Sequence, residues 1–199
     1  MVNNIIKVAL LIVIVALAYF VVESILGPVR FNKEVTTRNV EVIQNLRDIR
    51  TAEMAYKAMN GKYTANFDTL VDFLKFGEIP MVKMTPDPDD TTNTRTIRDT
   101  IGYIPVIDSL FGKRPGYDVN NLRYIPFTNN ISFDLDANLI EKGGVDVNVF
   151  EATALYKEYL NGLDDQMVLN LIASKEQIEK YPGLKVGSMV EASTDGNWE

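Results

Sequence analysis

Cysteine and histidine are both missing from this 199-residue chain, and tryptophan occurs once. Without cysteine there is no disulfide, no thiolate metal site, no thiol nucleophile and no side chain to acylate. Without histidine the Ser-His-Asp arrangement, the imidazole metal sites and the commonest general base are excluded. Basic residues are also scarce: 20 Lys and Arg stand against 27 Asp and Glu, a net charge of −7. Phosphate backbones require a Lys/Arg-rich surface, so nucleic acid is excluded as the main partner. Most familiar enzyme mechanisms are excluded by these absences, and a hydrolase working through carboxylates alone is one class that remains. No cofactor is expected.

What the chain does have is one long hydrophobic run. Ile5 to Leu26 reads IIKVALLIVIVALAYFVVESIL and carries no charge from Val8 to Val22. As a helix it would be about 33 Å long, enough to cross a bilayer core. Val8, Leu10, Ile12, Ile14, Leu17 and Phe20 are the expected lipid-facing anchor, with Lys7 reaching back to the headgroups. Ala16-Leu17-Ala18 has the small-x-small form of a signal-peptide cleavage site. The apolar run continues past it, which reads as a retained single span. Arg30, Lys33 and Arg38 follow the span, and by charge count they favour a cytoplasmic C-terminal side. Lys7, Glu23 and Arg30 are the only charges in the first thirty residues, so the remainder is more acidic still. Bulk attraction to anionic lipid is therefore not expected.

After the span, Val35, Val42, Leu46, Ile49, Ala52, Tyr56 and Met59 recur at helical spacings as one apolar stripe. Arg38, Glu41, Asn45 and Asp48 take the other side, and Glu53 with Lys57 forms an i,i+4 pair. Asn60-Gly61 is the expected stop, because glycine accepts the left-handed conformation beyond a helix end. A helix over residues 31–60 can run on from the span past Gly27-Pro28. Such a stripe packs either on its own domain or on a partner. The membrane-proximal part, with Val35, Val42, Leu46 and Ile49, is the candidate association surface, because a small domain is expected to leave it uncovered. Tyr56 and Met59 read as core anchors.

Asn66 can cap a short helix, Phe67 to Phe76, with Phe67, Leu70, Val71 and Leu74 on one face and Gly77 as its stop. Pro80, Pro86 and Pro88, with Asp87, Asp89 and Asp90, then predict an acidic loop running into Thr91 to Thr94, with no long regular element. Strands are expected at 102–107, 122–127, 131–135, 145–150 and 184–190, separated by turn residues such as Gly143-Gly144. Helices are expected at 152–160 and 165–173, with Ser174-x-x-Gln177 as a capping box for a further turn. Residues 193–199 form a polar tail apart from Trp198. The expectation is an α+β protein: span 5–26, stalk helix 31–60, a mixed domain with an antiparallel sheet over 61–192, and the tail.

The order of span, helix and the stretch Tyr56-Lys57-Ala58-Met59-Asn60-Gly61-Lys62-Tyr63 resembles the type IV pilins and type II secretion pseudopilins. Their stalk ends in Tyr-x-x-x-x-Gly-x-Tyr before a Leu-containing turn, and Leu46, Ile49, Ala52, Tyr56, Gly61, Tyr63 and Leu70 stand in matching places. The opening Met-Val-Asn-Asn-Ile-Ile-Lys lacks the glycine and early glutamate of that family's processing site. The resemblance covers roughly residues 5–74. It implies a pilin-like fold and a non-enzymatic subunit or scaffold of a bacterial envelope assembly. The protein would be held in the inner membrane with its domain in the periplasm, against the charge count. The bilayer and either further copies of the chain or other assembly subunits would be its partners. Tyr56, Gly61 and Tyr63 would join stalk to domain. The alternative is a monomeric, membrane-tethered periplasmic binding domain.

Other motifs carry bland readings. Asp134-Leu135-Asp136-Ala137-Asn138 opens like a calcium loop, but Leu139 and Val145 stand where an EF-hand needs Gly and Glu. A solvated strand edge is expected there, and no metal site. Asp164-Asp165 reads as a helix start. Gly112-Lys113-Arg114-Pro115-Gly116 lacks the spacing of a phosphate loop.

Overall fold

The computed structural model describes residues 2–86 and 96–199. Helix α1 runs unbroken from Val2 to Asn60, about 88 Å at the helical rise. Pro28 lies inside it, so the run past Gly27-Pro28 is continuous although proline forfeits one ladder bond. The helix stops where expected: Gly61 has φ +77° and its N–H donates to the Lys57 carbonyl at 2.8 Å. Helix α2, Phe67–Phe76, is capped by Asn66, whose Oδ1 accepts from the Asp68 N–H. Its buried residues are Phe67, Leu70, Val71 and Leu74.

Strands β1, Glu78–Pro86, and β2, Thr96–Pro105, form a two-stranded antiparallel ribbon with a register shift at Met81/Val82. This corrects the expectation that prolines forbid a long element here. A two-stranded ribbon has two open edges, and proline fits where no ladder N–H is required. The acidic loop residues Asp87, Asp89 and Asp90, with Thr91 to Thr94, lie outside the described residues. Helix α3, Val106–Phe111, follows β2 directly. The strand expected over 122–127 is instead the end of a 3-10 turn, Val119–Arg123, a single bridge from Tyr124 to Ser132, and a following turn. Asp118 opens that turn by accepting from the Asn120 N–H at 2.9 Å, which pre-empts strand pairing.

The second sheet is antiparallel in the order β3-β4-β5, with β3 Asp134–Lys142, β4 Val145–Leu155 and β5 Gly183–Gly187. Gly143 and Gly144, both at positive φ, make the two-residue turn between β3 and β4. Where a helix from residue 152 was expected, β4 continues to Leu155. Ala152 and Ala154 are buried while Glu151, Thr153 and Leu155 are half-buried, a period of two. Only Tyr156–Tyr159 is helical, as α4. Helix α5, Asp165–Glu176, is capped by Asp164, which accepts from the Met167 N–H at 2.8 Å. It runs through Ser174, whose hydroxyl donates back to the Leu171 carbonyl, so Ser174-x-x-Gln177 starts no new turn. Strand β5 ends at Gly187, short of Val190, because Gly187 turns at φ +78°.

Residues 193–199 are not a free tail. Gly187 N–H donates to the Asp195 carbonyl, Asn197 N–H donates to the Lys185 carbonyl, and Trp198 packs on the core. Helix α1 lies against β5, α2, β4 and the 3-10 turn, and the core fills the space between them.

Candidate functional site

Two stretches of α1 have opposite surroundings. Val8, Leu10, Ile12, Ile14, Leu17 and Phe20 are between 56 and 67% exposed, and no part of the apolar run is covered by protein. Among the described residues this is the one helix long and apolar enough to cross a membrane. Leaving such a run in water forgoes roughly 25 cal/mol for each Å² of apolar surface, so it calls for an apolar solvent. At its upper end Glu23 and Arg30 approach to 3.5 Å on the surface. A Cβ placed on Gly27 would touch the Met167 methyl at 3.6 Å. The first turn of α5 thus meets α1 where the apolar run ends, with no spacer between span and domain.

Higher on α1 the expected association stripe is corrected. Val42, Leu46 and Ile49 are fully buried in the chain's own core, and Val35 is half-buried against it. They cannot present a free surface, because this small domain wraps the helix more fully than its size implied: β5 and the returning C-terminal segment both reach it. Among the residues that α1 leaves bare, Lys33, Thr37, Val40, Gln44, Arg47, Thr51 and Met54 are spaced alternately by four and three residues, with Asn32, Glu34, Thr36 and Glu41 exposed beside them. That face is mixed, with Val40 and Met54 its main apolar members.

The side expected to be polar and solvated is also used for packing. Arg38 donates to the Tyr159 carbonyl at 2.7 Å and the Asn161 carbonyl at 3.0 Å, and lies over the Phe127 ring. The Tyr159 hydroxyl donates to Asn39 Oδ1 at 2.7 Å. Asn45 reaches the Tyr124 carbonyl at 3.4 Å. Asp48, only 3% exposed, accepts two bonds from Arg114 at 2.6 and 2.8 Å. Phe111 and Tyr117 stack at 4.3 Å, and the Arg114 guanidinium lies over both rings. The carboxylate bonds hold the Arg114 pKa above its ordinary value, and burial pushes the Tyr117 hydroxyl up as well.

Glu53 and Lys57 do not pair. Glu53 is fully buried, with Oε2 accepting from the Thr64 N–H at 3.0 Å and Oε1 without a partner. Burial raises its pKa to about 7. Lys57 instead reaches the Asn148 carbonyl and sits 4.4 Å over the Tyr63 ring. Tyr56 meets Phe73 of α2 edge-on at 5.2 Å, and Tyr63 meets Phe150 of β4 at 4.7 Å. The Gly61 carbonyl between them accepts from Asn148. The three junction residues thus contact two different elements around the helix stop. Met59, expected in the core, is 46% exposed.

Asp134 and Asp136 lie exposed on β3, an outer strand, opposite Thr153 and Glu151. Glu151 is already paired with Lys185 at 2.8 Å. Among the described residues no three carboxylates converge in a way that could hold a metal. The sequence gives no local sign of Asp48, Glu53 or Arg38 as packing residues, because their partners lie far along the chain or on a later loop. No protein-family model, no curated protein and no solved structure matches the chain. Fold and surface define an α+β domain carried on an uninterrupted helix whose lower part is long and apolar enough to cross a membrane.

Proposed function

We propose that the protein is a pilin- or pseudopilin-like subunit or scaffold of a bacterial envelope assembly, anchored by residues 5–26 in the inner membrane. Its domain faces the periplasm, and its role is structural and not enzymatic. The observation that carries this reading is the continuity of α1 from the apolar run into the core, with one face of its upper half uncovered. A rigid helix of this kind holds a domain at a fixed height and offers a lateral surface to neighbours. The Tyr56, Gly61, Tyr63 junction and the order of elements over residues 5–74 support the same reading. The association surface is the bare line Lys33, Thr37, Val40, Gln44 and Arg47, together with the span below it, in place of the buried stripe.

The absence of native cysteine supplies the test. Val40→Cys and Gln44→Cys are made separately in the full chain, oxidised gently in native membranes and run on non-reducing gels. Efficient dimers from these positions, and a ladder from a double-cysteine variant, are the expected result. Monomer throughout, in membranes where the protein is abundant, would sink the reading. It would favour the second one, a monomeric tethered binding domain, which has its own observation in the cleft described next.

A further inference from the structure

One cleft has a volume of about 510 Å³. It lies between α1 (Asn39, Ile43), the end of α5 with the turn after it, β5, and the returning C-terminal segment. We propose that this cleft binds a small organic anion, a carboxylate attached to a ring, taken from solution. The inference stands whether or not the chain self-associates.

The polar groups on its walls are mostly donors. Lys175 and Lys180 both line the cleft, and among the described residues neither has an acidic partner within ion-pair distance. Asn39 Oδ1 is occupied by the Tyr159 hydroxyl, which leaves its amide N–H groups for another acceptor. Trp198 lines the cleft with its ring, while its indole N–H is shielded from solvent and does not open into it. Lys185 is spoken for by Glu151, and both ends of the Asn197 amide are used to hold β5. The one acidic side chain on the wall is Glu179. Its φ of +54° kinks the chain so that Glu179, Lys180 and Tyr181, three residues in succession, all line the cleft. Among the lining side chains lysines therefore outnumber carboxylates, with Glu158, Glu151 and Asp134 acting on Tyr181 from behind the wall.

Size and surface narrow the ligand. The volume falls within the roughly 300–1,000 Å³ of small-molecule sites and is far larger than an inorganic anion needs. Tyr156, Tyr181 and Trp198 supply flat apolar walls for a ring. A lipid headgroup is excluded by height. Asn39 and Ile43 lie 13 and 17 residues beyond Leu26 on the same helix, roughly 20–25 Å along it from the end of the apolar run. The headgroup layer extends only about 5–8 Å beyond the hydrocarbon.

Because Trp198 is the only tryptophan, the full chain in detergent gives a single indole N–H cross-peak in a ¹⁵N correlation spectrum. Titration with phenylacetate is expected to shift that peak saturably, with inorganic phosphate and the neutral isostere phenylacetamide producing no saturable shift. Lys175→Gln combined with Lys180→Gln should weaken phenylacetate binding about tenfold while leaving the melting temperature unchanged. The proposal is overturned by no saturable shift with phenylacetate, by phenylacetamide binding equally well, by phosphate alone saturating the site, or by undiminished binding to the double variant.

Discussion

Residues 6–26 and residues 42–52 belong to one helix, yet the first stretch is bare on every side and the second only on one. The difference is written in their polar residues. The lower stretch has no polar face, so no rotation about its axis would make one side prefer water, and an apolar solvent suits it on all sides. The upper stretch alternates apolar with polar residues at helical spacing, and a domain has closed over Val42, Leu46 and Ile49. That covering extends to much of the polar side as well. Helix formation itself does not tell the two apart; what surrounds the helix does.

Substitutions can break this contrast. Leu46→Asp should unfold the domain outright, since it places a charge in a fully buried site, and Leu46→Ala should still cost about 3 kcal/mol. Ile12→Asp should leave the thermal melting of the domain unchanged and instead reduce recovery in the membrane fraction. If Leu46→Ala melts like the parent protein, the stripe is not core.

The next largest effect is expected from Glu53. Its folded pKa of about 7 lies above the ordinary carboxylate value of 4.5, because burial favours the neutral form. A raised carboxyl pKa means that its contribution is complete below pH 4.5 and is lost as pH rises through 7. The total is on the order of 3 kcal/mol. Denaturant midpoints measured between pH 4.5 and 8 should fall for the parent chain, and Glu53→Gln should flatten that fall.

Arg114→Met leaves the buried Asp48 carboxylate with only the Gln44 amide donating to it and no opposite charge. Since Arg114 itself is 41% exposed, water recovers part of the loss, and about 2 kcal/mol is expected from chemical unfolding. The smallest effect on stability belongs to the bare face. Val40→Asp should change melting by less than about 0.5 kcal/mol while abolishing the crosslinked dimer formed by a cysteine at Gln44. A large loss of stability at Val40 would place that residue in the core and remove the distinction between the faces.

Much of the fold could be read ahead of the structure because its signals are local. The apolar run, the stop at Gly61, the Asn66 cap with Phe67, Leu70, Val71 and Leu74 behind it, and the Gly143-Gly144 turn each depend on a few adjacent residues. Errors arose where a local preference competed with a distant partner. Ala152 and Ala154 are good helix formers, but pairing with β3 and β5 holds them in a strand. Pro80 discouraged a strand that survives because the ribbon has open edges. The site was harder to read for a different reason. Val35, Val42, Leu46 and Ile49 form the same stripe whether a domain or a second copy covers it, and periodicity carries no information about which. Asp48 and Glu53 look like surface residues until Arg114 and Thr64, supplied by later segments, arrive beside them.

The passage of α1 through Gly27-Pro28 without a loop removes any swivel between span and domain. A helix turns by about 100° and rises 1.5 Å for each residue. The compass bearing of Val40 about the helix axis is therefore set by that of Leu17, and the two rotate only together. One residue inserted between Leu26 and Phe31 would turn the domain more than a quarter circle relative to whatever grips the lower helix. The chain behaves as a crank and not as a leash: a turn of the lower helix is delivered to the domain, and a neighbour on one face finds it always at the same angle.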